Sequence, residues 1–253
     1  TMKTIQEIAT QLNLTKERNH FIESLVHDPR KGVQKLLNSW ETKLAKQQML
    51  IQQHQNKIDF DWSFKQKTHD LIAGIDEAGR GPLAGPVVTA AVIFEEIHTD
   101  LIGLNDSKQL SRVKRNEFAQ LIKQHAKSYS IHVQPPKRID EINIYEATKE
   151  SMVESVRLLS VQPTVLLVDA MKLPLDISQH SIIKGDSKSL CIAAASILAK
   201  TTRDKVMDEW HQQYPNYLFS KNAGYGTAEH LVALKHYGYT PIHRKSFEPI
   251  KSM

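Results

Sequence analysis

Apolar residues recur along this chain with two different spacings, and the change between them falls near residue 70. Before that point the spacing is helical, and one helix face collects Val33, Leu36, Leu37, Trp40, Leu44 and Ile51. The dipeptide Asp28-Pro29 provides a helix start. Residues 57–70 are a mixture of polar and aromatic residues typical of a linker. Residues 1–70 are therefore predicted to be an N-terminal helical extension followed by a linker.

From residue 71 onward, strand-like blocks rich in valine and isoleucine alternate with helix-like blocks. The predicted strands are Leu71–Ile75, Val87–Phe94, Tyr129–Val133, Val165–Val168 and His180–Ile183. The fourth is apolar throughout, which is typical of a central strand buried on both faces. The fifth is short and is expected at an edge.

The helix-like blocks begin at polar residues that can cap a helix. The predicted helices run from Ser111 to about residue 126, from Asn143 to about residue 159, from Ser187 to about Trp210, and from Ala228 to Tyr237. The third is apolar nearly all round in its first half, so it should pack deep against the sheet. The alternation predicts an α/β domain with a mixed sheet over residues 71–253. The basic tail HRKSF, residues 243–247, is expected to be extended.

Composition narrows the class of protein without identifying it. A chain of 253 residues that is 40% hydrophobic can form one large domain with an appendage. A net charge of +5 is compatible with a polyanionic partner but does not require one. The single cysteine, Cys191, excludes an internal disulfide and a multi-thiolate metal site. We find neither an apolar stretch of about 20 residues nor a secretory signal, so a cytoplasmic protein without membrane association is expected.

Four carboxylates stand where predicted strands end. Asp76 and Glu77 follow the first strand, Asp169 closes the run VLLVD, and Asp186 follows the fifth strand. Ligand crevices form at strand ends in open α/β sheets. Converging carboxylates would repel one another unless a cation neutralised them, and Mg²⁺ or Mn²⁺ suits such oxygen ligands. Two such ions about 4 Å apart can activate a water and stabilise the leaving oxygen of a phosphodiester.

Each acid also has a purely structural explanation. Asp186 is placed to be the N-cap of the following helix, and Asp169 to form a turn. Asp76 and Glu77 are adjacent, so on an ideal strand their side chains point to opposite faces. The chain would have to bend for both to reach one site. The pattern alone leaves these alternatives open.

Candidate substrate-binding residues lie in three loops. The turn Gly79-Arg80-Gly81 offers backbone N–H groups that a ligand can approach closely, and Arg80 a planar donor for a phosphate or hydroxyl. Lys108, in the polar block NDSK, is a candidate phosphate contact, and Tyr225 a candidate stacking residue. The simpler alternatives are an ordinary glycine turn, a solvated lysine and a packed loop tyrosine.

Taken together, these segments resemble bacterial type 2 ribonuclease H, the ribonuclease HII family. The resemblance extends from about Leu71 to the C-terminus and includes GIDEAGRGPLAGPVV, NDSKQLS, LLVDAMKLPL, IIKGDSKS, AAASILAKTTRD, GYGT and HRKSF. It implies a ribonuclease H-like fold, with a mixed five-stranded sheet flanked by helices and a helical C-terminal part. Residues 71–253 would form the catalytic domain, and longer members of the family carry an N-terminal helical extension.

The resemblance also implies roles for the candidate residues. Asp76, Glu77, Asp169 and Asp186 match the catalytic, metal-binding set, which takes two Mn²⁺ or Mg²⁺ ions. Gly79, Arg80 and Gly81 match the turn that detects a ribose 2′-hydroxyl, and Tyr225 matches the tyrosine that stacks on the following deoxyribose.

The implied activity is that of an endonuclease on RNA in RNA–DNA hybrids and on single ribonucleotides in duplex DNA. It would cut on the 5′ side of the ribonucleotide, leave 3′-hydroxyl and 5′-phosphate ends, and serve ribonucleotide and primer removal. A monomer is expected, and replication or repair partners are left open.

Two alternatives compete with this interpretation. Ribonuclease HIII shares the acidic scaffold but differs at the sensor turn, and Arg80 argues against it. A non-catalytic nucleic-acid-binding protein on the same fold is opposed by the complete acidic set.

Overall fold

The computed structural model describes residues 3–253, which form two compact units divided between Gln55 and Asn56. The first unit contains helices α1 (Ile5–Leu14), α2 (His20–Val26) and most of α3 (Lys31–Trp62). Its core consists of Ile8, Leu12, Ile22, Leu25, Val33, Leu37 and Trp40. The predicted helical extension is therefore present. Ile51, predicted on the same face, is 45% exposed, and the chain is still helical where the linker was expected to begin, because α3 continues to Trp62.

The second unit is built around a five-stranded sheet. Its strands are β1 (Ile72–Ala78), β2 (Val87–Ile93), β3 (Ser128–Gln134), β4 (Val165–Asp169) and β5 (Ser178–Ile182), in the order β3-β2-β1-β4-β5. β1 and β3 pair with β2 in the antiparallel direction, whereas β1 and β5 pair with β4 in the parallel direction. The predicted mixed sheet is confirmed. Residues 165–168 are buried, as expected for a central strand.

The register between β1 and β4 determines where the acids lie. Pairing of these two strands ends at Ile75, opposite Val168. The next residue in each strand is an aspartate, Asp76 in β1 and Asp169 in β4. β1 continues beside β2 as far as Ala78, three residues beyond its predicted end, because β2 still offers partners there. Two carboxylates therefore lie side by side where the pairing of these neighbouring parallel strands ends.

Helices cover the sheet and form the C-terminal part of the second unit. They are α4 (Arg112–His125), α5 (Pro136–Ile142), α6 (Ile144–Arg157), α7 (Gly185–Lys188), α8 (Leu190–Gln213), α9 (Phe219–Asn222) and α10 (Ala228–Tyr237). Ser111 and Asn143 cap α4 and α6, as predicted. The helix predicted from Ser187 is two helices, because Ser189 is extended and caps α8. Asp186 lies inside α7, so its interpretation as the N-cap of the long helix is wrong.

The long helix α8 packs directly on the centre of the sheet. A Cβ atom at Gly74 of β1 would lie 2.2 Å from the backbone carbon of Cys191, so only glycine permits this approach. On this face Val88, Ala90 and Val92 join α8 in one apolar cluster. Alternate residues of β1 and β2 face the other way and pack with residues of α6. None of the helices formed by residues 3–253 has an apolar segment long enough to cross a membrane.

Candidate active site

Three carboxylates meet at the ends of β1 and β4. Asp76, Glu77 and Asp169 each place a carboxylate oxygen within 4.8 Å of the other two. The Asp76 Oδ1 atom accepts a hydrogen bond from the Glu77 backbone N–H at 2.7 Å. The Asp169 Oδ1 atom accepts one from the Gly185 N–H at 2.8 Å. The second bond ties β4 to the start of α7, the helix that carries Asp186.

Asp186 lies outside this group of three but faces the same space. Its pKa is raised, first by burial and then by the charges of Asp106 and Asp169. Asp106 belongs to the NDSK block and was not among the predicted acids. Its side chain also accepts the Lys108 backbone N–H at 2.9 Å, which fixes the conformation of that block. The acidic site therefore has a fifth carboxylate beside it.

The carboxylates destabilise one another's charged forms. Burial raises the pKa of Asp76 well above its usual range, and the charges of Glu77 and Asp169 add to that effect. Burial also raises the pKa of Glu77, although the Arg80 guanidinium, 3.6 Å from its carboxylate, opposes the shift. A hard divalent cation would relieve this repulsion, because it prefers several carboxylate oxygens. The residues present therefore fit a Mg²⁺ or Mn²⁺ site.

One cavity of about 470 Å³ brings together every predicted site residue. Its lining includes the four acids, the Gly79-Arg80-Gly81 turn, Lys108 and Tyr225. Ser196, Lys200 and Arg203 of α8 also line it; they belong to the motif AAASILAKTTRD, but no site role was predicted for them. Acids and cations thus share one concave surface of a size that suits part of an extended substrate.

The glycine turn and Tyr225 lie against each other in this cavity. Gly79 has φ +94°, and a Cβ atom there would lie 2.0 Å from Nε of Arg203, so a side chain is excluded. A Cβ atom at Gly81 would lie 3.3 Å from Cε1 of Tyr225. Tyr225 is 49% exposed, so part of its surface is available to a ligand. Backbone and aromatic surface are both presented beside the acids.

Buried cations hold the loops of the site, and sequence reasoning missed them. The Arg203 guanidinium is buried and donates to the carbonyl oxygens of Pro86, Ala223 and Ala84 at 2.9, 2.8 and 3.0 Å. Burial lowers its pKa to about 10. The guanidinium thus joins the segment after the glycine turn to the segment before Tyr225.

Near the end of α3, the Lys57 ammonium donates to the Leu104 carbonyl oxygen at 3.0 Å and to the Asn105 side chain at 2.8 Å. It thereby fixes the start of the loop that carries Lys108. No local pattern distinguishes such a buried lysine from a solvated one.

Comparisons with known proteins agree with this geometry. The family model described as Ribonuclease HII matches residues 73–250, and the one described as Ribonuclease HII N-terminal domain matches residues 4–65. The chain belongs to the ribonuclease HII family. It is 49% identical over 250 residues to ribonuclease HII of Bacillus subtilis, covering 98% of each chain. It is 53% identical over 229 residues to that of Lactobacillus gasseri, covering 90% of this chain and 91% of the relative.

A solved structure supports the fold. The crystal structure of ribonuclease H2 from Pyrococcus horikoshii superposes with a TM-score of 0.61 at 29% identity, covering 72% of this chain and 96% of that one. The predicted ribonuclease H-like fold and the predicted family are therefore confirmed. The chain is a ribonuclease H, an endonuclease, while the roles of its individual site residues stay predictions.

Proposed function

We propose that this ribonuclease HII cuts RNA in RNA–DNA hybrids and cuts duplex DNA on the 5′ side of a single embedded ribonucleotide. The observation that carries the proposal is the common cavity of the acidic residues and the glycine turn. Glu77 and Gly79 are two residues apart, so their Cα atoms lie within about 7 Å of each other. A group that reads the ribose and groups that promote cleavage are therefore forced to act on the same or neighbouring nucleotides.

Asp76, Glu77, Asp169 and Asp186 are the residues proposed to hold two divalent ions, Mn²⁺ or Mg²⁺. When bound, such ions activate the attacking water and stabilise the leaving 3′ oxygen. The water oxygen forms a bond to phosphorus while the bond from phosphorus to the 3′ oxygen breaks. The products are a 3′-hydroxyl on the preceding nucleotide and a 5′-phosphate on the ribonucleotide. The protein holds Asp76 and Asp169 in fixed orientations, because each carboxylate accepts a hydrogen bond from a backbone N–H group.

The Gly79-Arg80-Gly81 turn is proposed to select the ribonucleotide. A 2′-hydroxyl both donates and accepts hydrogen bonds, and backbone groups of a turn can satisfy it without reading a base. Tyr225, which lies against Gly81, is proposed to stack on the deoxyribose that follows. Lys108, which lines the same cavity, is proposed to contact a substrate phosphate. Selection would then depend on the sugar sequence rather than on the base sequence.

The remaining parts of the proposal concern the setting of the activity. One chain brings all the predicted site residues into a single cavity, and we propose that the enzyme acts as a monomer. Its proposed role is removal of misincorporated ribonucleotides and RNA primers in the cytoplasm.

The test of the metal site uses Asp169→Asn in the full-length chain. Cleavage of a labelled RNA–DNA hybrid with Mn²⁺ is expected to fall to background, while hybrid affinity measured by fluorescence anisotropy stays close to that of the unmodified chain. Asp176→Asn is the matched control, because Asp176 is an exposed aspartate. Full activity of Asp169→Asn would refute the assignment.

The test of the stacking role compares Tyr225→Phe with Tyr225→Ala. Stacking on an aromatic ring is worth about 1–3 kcal/mol, so alanine is expected to lower kcat/KM at a single ribonucleotide by about tenfold. Phenylalanine keeps the ring face and is expected to retain most of the activity. Equal activities of the two variants would remove Tyr225 from this role.

A further inference from the structure

Two adjacent residues in the basic tail, His243 and Arg244, are buried, with exposures of 1% and 0%. The Arg244 backbone N–H donates to the Leu83 carbonyl oxygen at 2.8 Å, and His243 forms an isolated β-bridge with Ala84. These contacts place the dipeptide behind the segment that follows the glycine turn. From there, the Arg244 side chain extends to the glycine turn, and the His243 side chain extends toward His230 and Tyr225.

The Arg244 side chain is tied to the glycine turn itself. Its Nη2 donates to the Gly79 carbonyl oxygen at 2.5 Å and its Nη1 to the Arg80 carbonyl oxygen at 2.9 Å. Its Nε donates to the Gly85 carbonyl oxygen at 3.0 Å. A planar guanidinium that bridges three carbonyls fixes their relative positions, because its donors form a rigid fork. This residue thus anchors the tail to the turn that is proposed to read the ribose.

The His243 side chain begins a chain of hydrogen bonds that ends at Tyr225. The Thr240 backbone N–H donates to Nδ1 of His243 at 2.9 Å, so this nitrogen is an acceptor. The two Nε2 atoms of His243 and His230 lie 2.9 Å apart. The Nδ1 atom of His230 lies 2.8 Å from the Tyr225 carbonyl oxygen, which only accepts, so this nitrogen carries a proton.

One arrangement of protons satisfies the backbone and ring contacts, and in it Nδ1 of His243 also accepts from the Thr240 hydroxyl, 2.8 Å away. His243 is neutral and protonated at Nε2, and it donates to the bare Nε2 of His230. His230 is neutral and protonated at Nδ1, and it donates to Tyr225. A second proton on His230 would set two N–H groups against each other between the rings, and a second proton on His243 would set its Nδ1–H against the Thr240 backbone N–H. The chain therefore runs in one direction, from the Thr240 amide to the Tyr225 backbone.

We propose that His230 and His243 are positioning residues that hold Tyr225 at a fixed distance from the ribose-reading turn. The tail is anchored to that turn by Arg244, so displacement of the histidine chain changes the position of Tyr225 relative to Gly79 and Arg80. The proposal rests on the proposed function, in which the turn reads the ribonucleotide and Tyr225 stacks on the following deoxyribose. Cleavage at a single ribonucleotide needs both contacts, whereas cleavage within an RNA strand offers no deoxyribose after the cut ribonucleotide.

Paired amide substitutions test the chain, because glutamine places its amide close to the position of a histidine Nε2 and asparagine places its own close to Nδ1. His243→Gln keeps a donor toward His230, and His243→Asn does not. The order reverses at the next ring, where His230→Asn keeps a donor toward Tyr225 and His230→Gln does not. The measured quantity is kcat/KM for a duplex with one ribonucleotide divided by kcat/KM for an RNA–DNA hybrid.

We expect this ratio to stay within about threefold of the unmodified value in His243→Gln and His230→Asn. In His243→Asn and His230→Gln it is expected to fall by about tenfold, the loss expected when Tyr225 stacking is removed. In a Tyr225→Ala background the same substitutions should leave the ratio unchanged, because the residue on which they act is gone. A general loss of folding would lower both activities together and leave the ratio unchanged.

Two outcomes separate this inference from the proposed function. If the unmodified chain cuts hybrids but not a single ribonucleotide, the proposed junction activity fails. If it cuts both and all four variants share one ratio, the positioning role fails and the function stands. For any variant that does not fold, ¹⁵N NMR of the histidines in the unmodified chain decides. Protonation of His230 at Nδ1 and of His243 at Nε2 would support the proposed series of hydrogen bonds, and any other protonation pattern would overturn the proposal.

Discussion

Replacing Asp76 by asparagine is expected to stabilise the metal-free protein while removing its activity. Asp76 is 5% exposed, and its carboxylate lies within 4.8 Å of those of Glu77 and Asp169. At an effective dielectric constant of about 20, each such pair of ionised groups repels by at least about 3.5 kcal/mol. Asparagine removes the charge and keeps the oxygen that accepts the Glu77 backbone N–H.

The size of the gain has an upper limit at neutral pH. Holding a proton on a carboxyl group of ordinary pKa costs about 4 kcal/mol at pH 7, so the destabilisation caused by Asp76 cannot exceed that value. We expect a gain of about 1–4 kcal/mol in the free energy of unfolding, and each kcal/mol raises Tm by about 2–4 °C. Because the pKa of Asp76 is raised on folding, its cost grows as pH rises above the unfolded value. The gain should therefore vanish near pH 4.

The assay is thermal unfolding with EDTA and with Mn²⁺, using Asp176→Asn as the control. In EDTA at pH 7 the Asp76→Asn variant should melt at a higher temperature than the unmodified chain. A metal at a hundredfold excess over its Kd adds about 2.7 kcal/mol to a protein that binds it, so Mn²⁺ should stabilise the unmodified chain more than the variant. The reasoning would be refuted if Asp76→Asn were less stable than the unmodified chain in EDTA, or if Mn²⁺ stabilised the two proteins equally.

Three further predictions follow from the packing and the buried groups. Gly74→Ala would force a Cβ atom to within 2.2 Å of the Cys191 backbone, and we expect a loss of at least about 3 kcal/mol in urea unfolding. Burial lowers the pKa of His243 to about 4, so the unfolded chain binds more protons below pH 6.5, and His243 should remove about 3 kcal/mol of stability between pH 6.5 and pH 4. A chain truncated to begin at Asn56 is expected to be at least 1–3 kcal/mol more stable than one beginning at Asp70, because removal of buried polar partners costs about that much.

The Gly74 and His243 predictions each have a control variant, and the truncation prediction rests on two buried polar contacts. At Gly32 of α3 an added Cβ meets only the end of the Ile5 side chain, so Gly32→Ala should be neutral or slightly stabilising. A His243→Gln variant should show a smaller difference between pH 6.5 and pH 4, because only His230, whose pKa burial also lowers, then contributes to it. An unchanged difference would assign it to other groups. The segment between the two truncation points contains Lys57 and also Asp61, which accepts the Cys191 backbone N–H at 2.9 Å. Equal Tm values for the two truncated chains would show that these contacts contribute little.

The fold could be predicted where local pattern decides it. Short blocks rich in valine and isoleucine located all five strands, and capping residues located the starts of α4 and α6. The observed elements differ from the predicted ones where contacts with another segment determine their bounds. β1 is longer than predicted because β2 continues to pair with it, and α7 separates from α8 because Ser189 is extended. Neither cause is visible in the local sequence.

The site could be predicted only in part, namely where a local sequence pattern marks its residues. Each acid ends or follows an apolar run, a local signal, and parallel strands bring their ends together. The cations that support the site give no such signal, because charged residues are usually exposed. Arg203 and Arg244 bind carbonyl oxygens more than a hundred residues away in the sequence. The tail predicted as basic and extended instead folds into turns that bury its first two residues, His243 and Arg244.

The most direct test of the account is the cut site in an end-labelled DNA duplex that contains one ribonucleotide. With Mn²⁺ or Mg²⁺ we expect one cut, at the phosphodiester on the 5′ side of the ribonucleotide, leaving a 3′-hydroxyl and a 5′-phosphate. With EDTA, or with the all-DNA duplex, no cut is expected. A cut on the 3′ side, cleavage of the all-DNA duplex, or cleavage in EDTA would contradict the account.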